Sequence, residues 1–387
     1  MSDRLRRYVP WIAVSAAAAL FFLGLSRCMS GLWKFDFFHS GGDVYAYWTE
    51  SLTWGMPFHP HHPPGYPWLI ALENTLSAGR LSPLAIMQSL AFSFLLGGAF
   101  LVMVLCREEG IVHNGWKVAL LYIAWPFVGS LYAVFPQMDS IVLFLLILGI
   151  VLGLYRRWIP AGTAWGVAAI VHPLAWIFVP LLLSVPWAVR VRKQKRPPAA
   201  DGLAAGKELI LMTGSALAPL IGIWIWQTVL TADPFWTLTS IINEQVASRG
   251  SFPILDGWIG SVADGGMSGW VKVGILSLVV LLAVYLLAAA LRHRTAVESA
   301  EDRFRRIVSL VLTAGILLMA LLLNQHEIWA VVRFSKILVL PIVLQRDRLF
   351  GFVPPRLRMP AFYLLIAAGF ISQVVYAWYM TTVFFSA

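Results

Sequence analysis

Residues 83–105 read PLAIMQSLAFSFLLGGAFLVMVL, a run without a single charge that ends at Arg107, Glu108 and Glu109. About 20 apolar residues form a helix about 30 Å long, the thickness of a bilayer's hydrocarbon core. Backbone facing lipid must satisfy its own hydrogen bonds, so helix is the conformation expected of such a run. Ten more apolar runs follow the same logic, at 9–27, 118–134, 139–155, 158–171, 173–189, 208–230, 269–291, 307–323, 329–345 and 357–379. The 387 residues are 59% hydrophobic and 12% charged, about half the charge of soluble domains, with a mean hydropathy of +0.76. The period-two alternation of a membrane barrel is absent. The sequence predicts an all-α polytopic integral membrane protein, with about eleven transmembrane helices in one domain spanning 1–387.

The cations orient it. Arg4, Arg6 and Arg7 precede the first run, and Arg156–Arg157, the stretch from Arg190 to Arg196, the 292–306 gap and Arg346/Arg348 fall in alternate gaps. Those gaps are read as cytoplasmic, with the N-terminus inside. The outer gaps and helix ends carry only Arg27, Lys34, Arg80, Arg249, Lys272, Arg333 and Lys336. The first run ends in Ser26-Arg27-Cys28 without a small-residue cleavage site, so it is expected to stay as a helix. The orientation puts Cys28 and Cys106 on opposite faces, where they cannot pair. The net charge of +10 does not imply nucleic acid, because the cations sit in short gaps and form no basic face with interleaved aromatics. The 18 Trp suit interfacial belts in contact with membrane lipids. The expected location is the plasma membrane or its equivalent.

Two outer gaps are long. The second, 231–268, holds Asp233, Asp256 and Asp264. The first, 28–82, is the expected catalytic loop, and its segment 68–80 reads as an amphipathic helix lying at the interface. Asp43 follows Gly41-Gly42 and precedes Tyr45, Tyr47 and Trp48. Glycines let backbone approach a ligand, and a carboxylate walled off from water by aromatics acquires a raised pKa suited to a general base. Asp43 can equally be a helix cap. His59, His61 and His62 stand before Pro63-Pro64-Gly65-Tyr66-Pro67. Imidazoles there can meet a phosphate, a lipid headgroup or a divalent metal; the prolines forbid an i, i+4 metal pair on a helix.

Asp139, His172, His326, Glu327, Arg333 and Lys336 fall at or near outer helix ends. Arg333 and Lys336, three apart on one predicted helix, share a face and could hold a phosphate; the bland reading is snorkelling to headgroups. His172, beside Pro173, can be structural. Phosphate-binding glycine loops, a GxSxG and a CxxC are lacking, so ATP-driven transport, serine hydrolysis and thiol redox chemistry have no residues to carry them.

This arrangement resembles the glycosyltransferase C superfamily of polytopic membrane enzymes. The resemblance rests on Asp43 with its aromatic run and on HPPGYPWL (62–69), similar to the proline motif of protein O-mannosyltransferase and aminoarabinose-transferase relatives. FPQMDSIVLFLLIL (135–148) and VHPLAWIFVPLLL (171–183) are similar to segments of the GPI-anchor mannosyltransferase branch. It implies inverting transfer of mannose or a similar hexose or pentose from a polyprenyl-phosphate donor to a hydroxyl of a glycan, glycolipid or protein acceptor, at the extracytoplasmic face. Asp43 would be the base, Arg333, Lys336 and His62 would hold the donor phosphate, and Tyr45, Trp48, His59, His61, Tyr66, Asp139 and His172 would line the cavity. The family often has paired acidic residues at the first position; here Gly42 precedes Asp43 and Val44 follows it. The competing readings are a non-catalytic lipid or glycolipid transporter, for which broken helices and mid-membrane polar groups are expected, and a scaffold subunit of an envelope-glycan complex.

Overall fold

The computed structural model describes residues 3–28, 51–52, 64–108, 115–134, 137–172, 174–186, 199–233, 258–259, 267–292, 300–323, 328–344 and 355–379. Among these every regular element is helical. In chain order they are α1 (Asp3–Cys28), α2 (Gly65–Leu76), α3 (Pro83–Glu108), α4 (Gly115–Ile123), α5 (Leu131–Val134), α6 (Asp139–Leu154), α7 (Trp158–Val171), α8 (Ala175–Leu183), α9 (Ala199–Thr231), α10 (Met267–Arg292), α11 (Ala300–Leu322), α12 (Ile328–Phe334), a 3-10 turn (Ser335–Leu338), α13 (Val339–Leu344) and α14 (Pro355–Tyr379).

Among the described residues, six helices are long and apolar enough to cross a membrane, with spans at Tyr8–Arg27, Pro83–Arg107, Gly206–Thr231, Gly269–Arg292, Asp302–Leu322 and Met359–Trp378. The expected count of about eleven is not confirmed, since other apolar runs among the described residues form shorter helices. α6 has 16 residues, an axial length of about 24 Å. The most apolar window of α9 is 11% buried and that of α11 50% buried, so α9 leaves most of its apolar surface to surroundings that must themselves be apolar. A chain built this way is compatible with an integral membrane protein.

Contacts divide the chain into two compact units, one ending within α6 at Ile147 and the other beginning at Leu148, with α14 returning to the first. In the first unit α1 meets α3 through Trp11 on Phe100 and Phe22 on Phe92, and meets α14 through Phe21 on Phe370. Gly97 and Gly98 let Phe144 and Tyr122 lie against the α3 backbone, within 2.9 and 2.6 Å of where a Cβ would stand.

The helix expected over 118–134 is broken. Pro126 cannot donate to the ladder, Phe127 has φ of 65°, and α4 stops at Ile123. Gln373 of α14 replaces the lost bonds: its Nε2 donates to the carbonyls of Ile123 (3.2 Å) and Trp125 (3.1 Å), and its Oε1 accepts from the Ser130 amide (2.8 Å). The Phe127 amide donates to Ser372 Oγ at 2.9 Å. α14 comes this close because a Cβ on Gly369 would collide with the Ala124 carbonyl.

In the second unit α7 and α9 are in backbone contact. A side chain at Gly162 would strike the Met212 carbonyl and Ser215 Oγ, and one at Gly166 the Ala216 carbonyl. This small-xxx-small spacing on α7 is how helices pack tightly where lipid supplies no hydrophobic drive. Trp165, 1% exposed, packs from α7 against Gly149 of α6. α11 packs on α8, where Phe178 occupies the space above Gly315.

Candidate functional site

Asp43, Tyr45, Trp48, His59, His61 and His62 lie outside the described residues. Of the other expected site residues, Tyr66 and Asp139 belong to the first unit, and His172, Arg333 and Lys336 to the second.

Tyr66 stands in the first turn of α2. The expected interfacial helix at 68–80 instead spans Gly65–Leu76, starting at the proline motif and ending before Ala78 and Gly79, both at positive φ. The apolar side, Tyr66, Pro67, Ile70 and Ala71, is buried. Asp139 opens α6 as expected, in a first turn where the helix dipole favours a carboxylate, and is 3% exposed. Burial above all, then the charges of Asp139 and Glu73, pushes the Tyr66 phenol well above its ordinary 10.0. The HPPGYP and FPQMD motifs, more than sixty residues apart in sequence, therefore bring a phenol and a carboxylate into one electrostatic neighbourhood.

Polar residues that sequence reasoning passed over complete this region. Ser89 of α3 donates a hydrogen bond to Glu73 of α2. Its neighbour Gln88 donates from Nε2 to the Val134 carbonyl at 2.7 Å, capping the last turn of α5. Gln137 and Ser140, on either side of Asp139, are 5% and 3% exposed. Their signal was a polar side chain inside an apolar run, which in a membrane protein marks a partner or a function.

In the second unit, α7 ends at His172, whose extended backbone (φ −148°, ψ 131°) turns the chain into α8. The Leu174 amide donates to His172 Nδ1 at 3.0 Å. A neutral imidazole accepting at Nδ1 carries its hydrogen on Nε2, which leaves that nitrogen as the donor. The ring is 7% exposed and sits edge-on to Phe334 at 5.3 Å, and Phe334 stacks on Phe178 at 6.1 Å. Phe334 is also the last residue of α12, directly after Arg333. The expected single helix over 329–345 is interrupted by the 3-10 turn at Ser335–Leu338. Arg333 is half-buried there, and Lys336 is 2% exposed on the turn itself. His172 and the Arg333/Lys336 segment thus share one aromatic wedge.

Among the described residues no three His, Cys, Asp or Glu side chains gather to hold a metal ion. Cys106 is buried and forms no disulfide among the described residues.

No family model matches the chain, and neither the curated proteins nor the solved structures include a match to it.

Proposed function

We propose that this chain is a glycosyltransferase C-type enzyme of about eleven crossings, moving a sugar from a polyprenyl phosphate to an acceptor hydroxyl at the extracytoplasmic face. The observation that carries the reading is that Tyr66 and Asp139, each from a motif on which the resemblance rests, are both buried and within electrostatic reach of each other. Asp43 removes the proton as the acceptor attacks the anomeric carbon in line, with inversion. The C–O bond to the lipid phosphate breaks, and the departing phosphate gains charge. Arg333, Lys336 and His62 stabilise that charge, as fixed cations and donors do most effectively away from water. His172, held with its hydrogen on Nε2, adds a neutral donor. Tyr45, Trp48, His59, His61, Tyr66 and Asp139 shape the cavity, with Tyr66 kept as a protonated phenol able to donate to a sugar oxygen.

The test is transfer in proteoliposomes loaded with polyprenyl-phosphate sugars. Asp43→Asn is expected to lower kcat by about a hundred- to ten-thousand-fold; unchanged activity in that variant removes the base assignment.

The broken helix between Ile123 and Leu131 gives the transporter reading its one specific support. Against it, the Ile123 and Trp125 carbonyls are occupied by Gln373 and so are not presented to a passing solute. Movement of a labelled lipid between leaflets, without sugar transfer, would favour that reading.

A further inference from the structure

Gln88 and Ser89 stand side by side on α3, in a largely apolar run of membrane length. Polar residues in such a helix have a partner or a task. Successive helical residues point about 100° apart, so the pair faces two neighbours. Ser89 donates to Glu73 of α2, and Gln88 donates from Nε2 to the Val134 carbonyl of α5 at 2.7 Å. Each neighbour carries half of the candidate site. α2 holds Tyr66 in its first turn. From Val134 at the end of α5 the chain reaches Asp139, the head of α6, in five residues.

Ser89 does not need Glu73 to be satisfied, because its Oγ also lies 2.8 Å from the Ile86 carbonyl in its own helix. The carboxylate draws the hydroxyl because a charged acceptor makes the stronger bond. What the link fixes is α2. That helix joins α3 through a turn at 77–82, with Ala78 and Gly79 at φ of 52° and 70° and Ser82 Oγ accepting from the Ala85 amide at 3.2 Å. Among the helices, α2 rests chiefly on α3. Tyr66 lies seven residues beyond Glu73, about 10 Å further from that turn. Buried Ile70 and Ala71 hold α2 down, but apolar contact is non-directional. A hydrogen bond also fixes how the helix is rotated.

We propose that Gln88 and Ser89 are positioning residues: a clamp on α3 that seats Tyr66 and Asp139 together, through Glu73 on one side and the Val134 carbonyl on the other. Its consequence for sugar transfer rests on the transferase reading; its geometry does not.

The experiment uses the full chain in liposomes, with Cys28 and Cys106 replaced by Ser and Ala. Spin labels on Leu72→Cys of α2 and Ser93→Cys of α3, both exposed positions, report the distance between the two helices. The distribution is expected to be narrow in this parent and in Ser89→Thr, which keeps the hydroxyl, and broad or displaced in Ser89→Ala. α3 keeps its own backbone bonds without that hydroxyl, so Ser89→Ala should fold, with circular dichroism as the check. Glu73→Ala removes the other end of the same bond and should reproduce the change. Transfer from a polyprenyl-phosphate sugar is then compared. Ser89→Ala and Gln88→Met, which keeps the side-chain length and loses the donor, should each lower kcat by about tenfold to a hundredfold, as a misplacement of about 1 Å does. The donor KM should change little, and Ser89→Thr should retain the activity. An unmoved distance in both Ser89→Ala and Glu73→Ala overturns the clamp whatever the transfer assay shows. A moved distance with undiminished kcat makes the link structural only and overturns the positioning role. A moved distance in a chain whose wild type transfers no sugar supports the clamp and counts against the transferase reading alone.

Discussion

Single residues carry two measurable consequences. Gln373 is fully buried and serves two carbonyls and one amide of the broken segment. Gln373→Leu keeps most of the volume and strands those groups, each costing about 1–3 kcal/mol when buried unsatisfied. Unfolding in bicelles should show a loss of roughly 2–4 kcal/mol after partial relaxation; a loss near zero would mean the bonds contribute nothing net. Tyr66 has the second consequence. Its phenol is raised in the folded chain and ordinary in the unfolded one, so its contribution is complete below the unfolded value of 10.0 and falls away as pH rises beyond it. Stability should therefore decline with alkalinity starting near that pH, less steeply in Tyr66→Phe, as followed by thermal unfolding across alkaline buffers. Asp139 and Tyr66 were legible as polar residues at the rim of apolar runs. Gln373 was not, because its partners stand 250 and 248 residues away and one glutamine in an apolar helix does not name them.

At the scale of elements, α6 and α7 begin where the sequence placed them, at Asp139 and Trp158, and α7 ends at Val171 as expected. Their ends are marked by Asp139 in the first turn of α6, by the Arg156–Arg157 turn and by the backbone turn at His172. The runs at 118–134 and 329–345 are apolar throughout, which predicts single helices, but the first breaks after Ile123 at Pro126–Gly129 and the second turns 3-10 at Ser335–Leu338. Hydropathy measures what tolerates lipid, not where a helix stops. The α7–α9 pair shows what composition alone cannot: glycines at 162 and 166 are spaced for a partner backbone, but the partner emerges only in three dimensions. Gly166→Val must push α9 away from the Ala216 carbonyl. Overpacking of this kind costs about 1–3 kcal/mol, and Gly214→Val, whose Cβ meets open space, should cost much less, about 0.5 kcal/mol or under. Equal losses in the two variants, by unfolding in the same bicelles, would contradict the packing described.

At the scale of the molecule, the all-helical, lipid-compatible class was written in the hydropathy and charge pattern, and six membrane-length helices bear that out. The site was only partly legible: the sequence supplied Tyr66, Asp139, His172, Arg333 and Lys336 as candidates, and the fold groups them as Tyr66 with Asp139 and as His172 with the Arg333–Lys336 segment. If Arg333 holds the donor phosphate, Arg333→Gln should raise the donor KM by about tenfold or more with a smaller change in kcat, the loss of one charge-assisted pair. The most direct measurement is sugar transfer from a synthetic polyprenyl-phosphate donor by the purified chain in liposomes, comparing wild type with Asp43→Asn and reading the anomeric configuration of the product. The account predicts transfer with inversion by the wild type and its near-complete loss in the variant. Transfer that survives in Asp43→Asn, or retention of configuration, would contradict it.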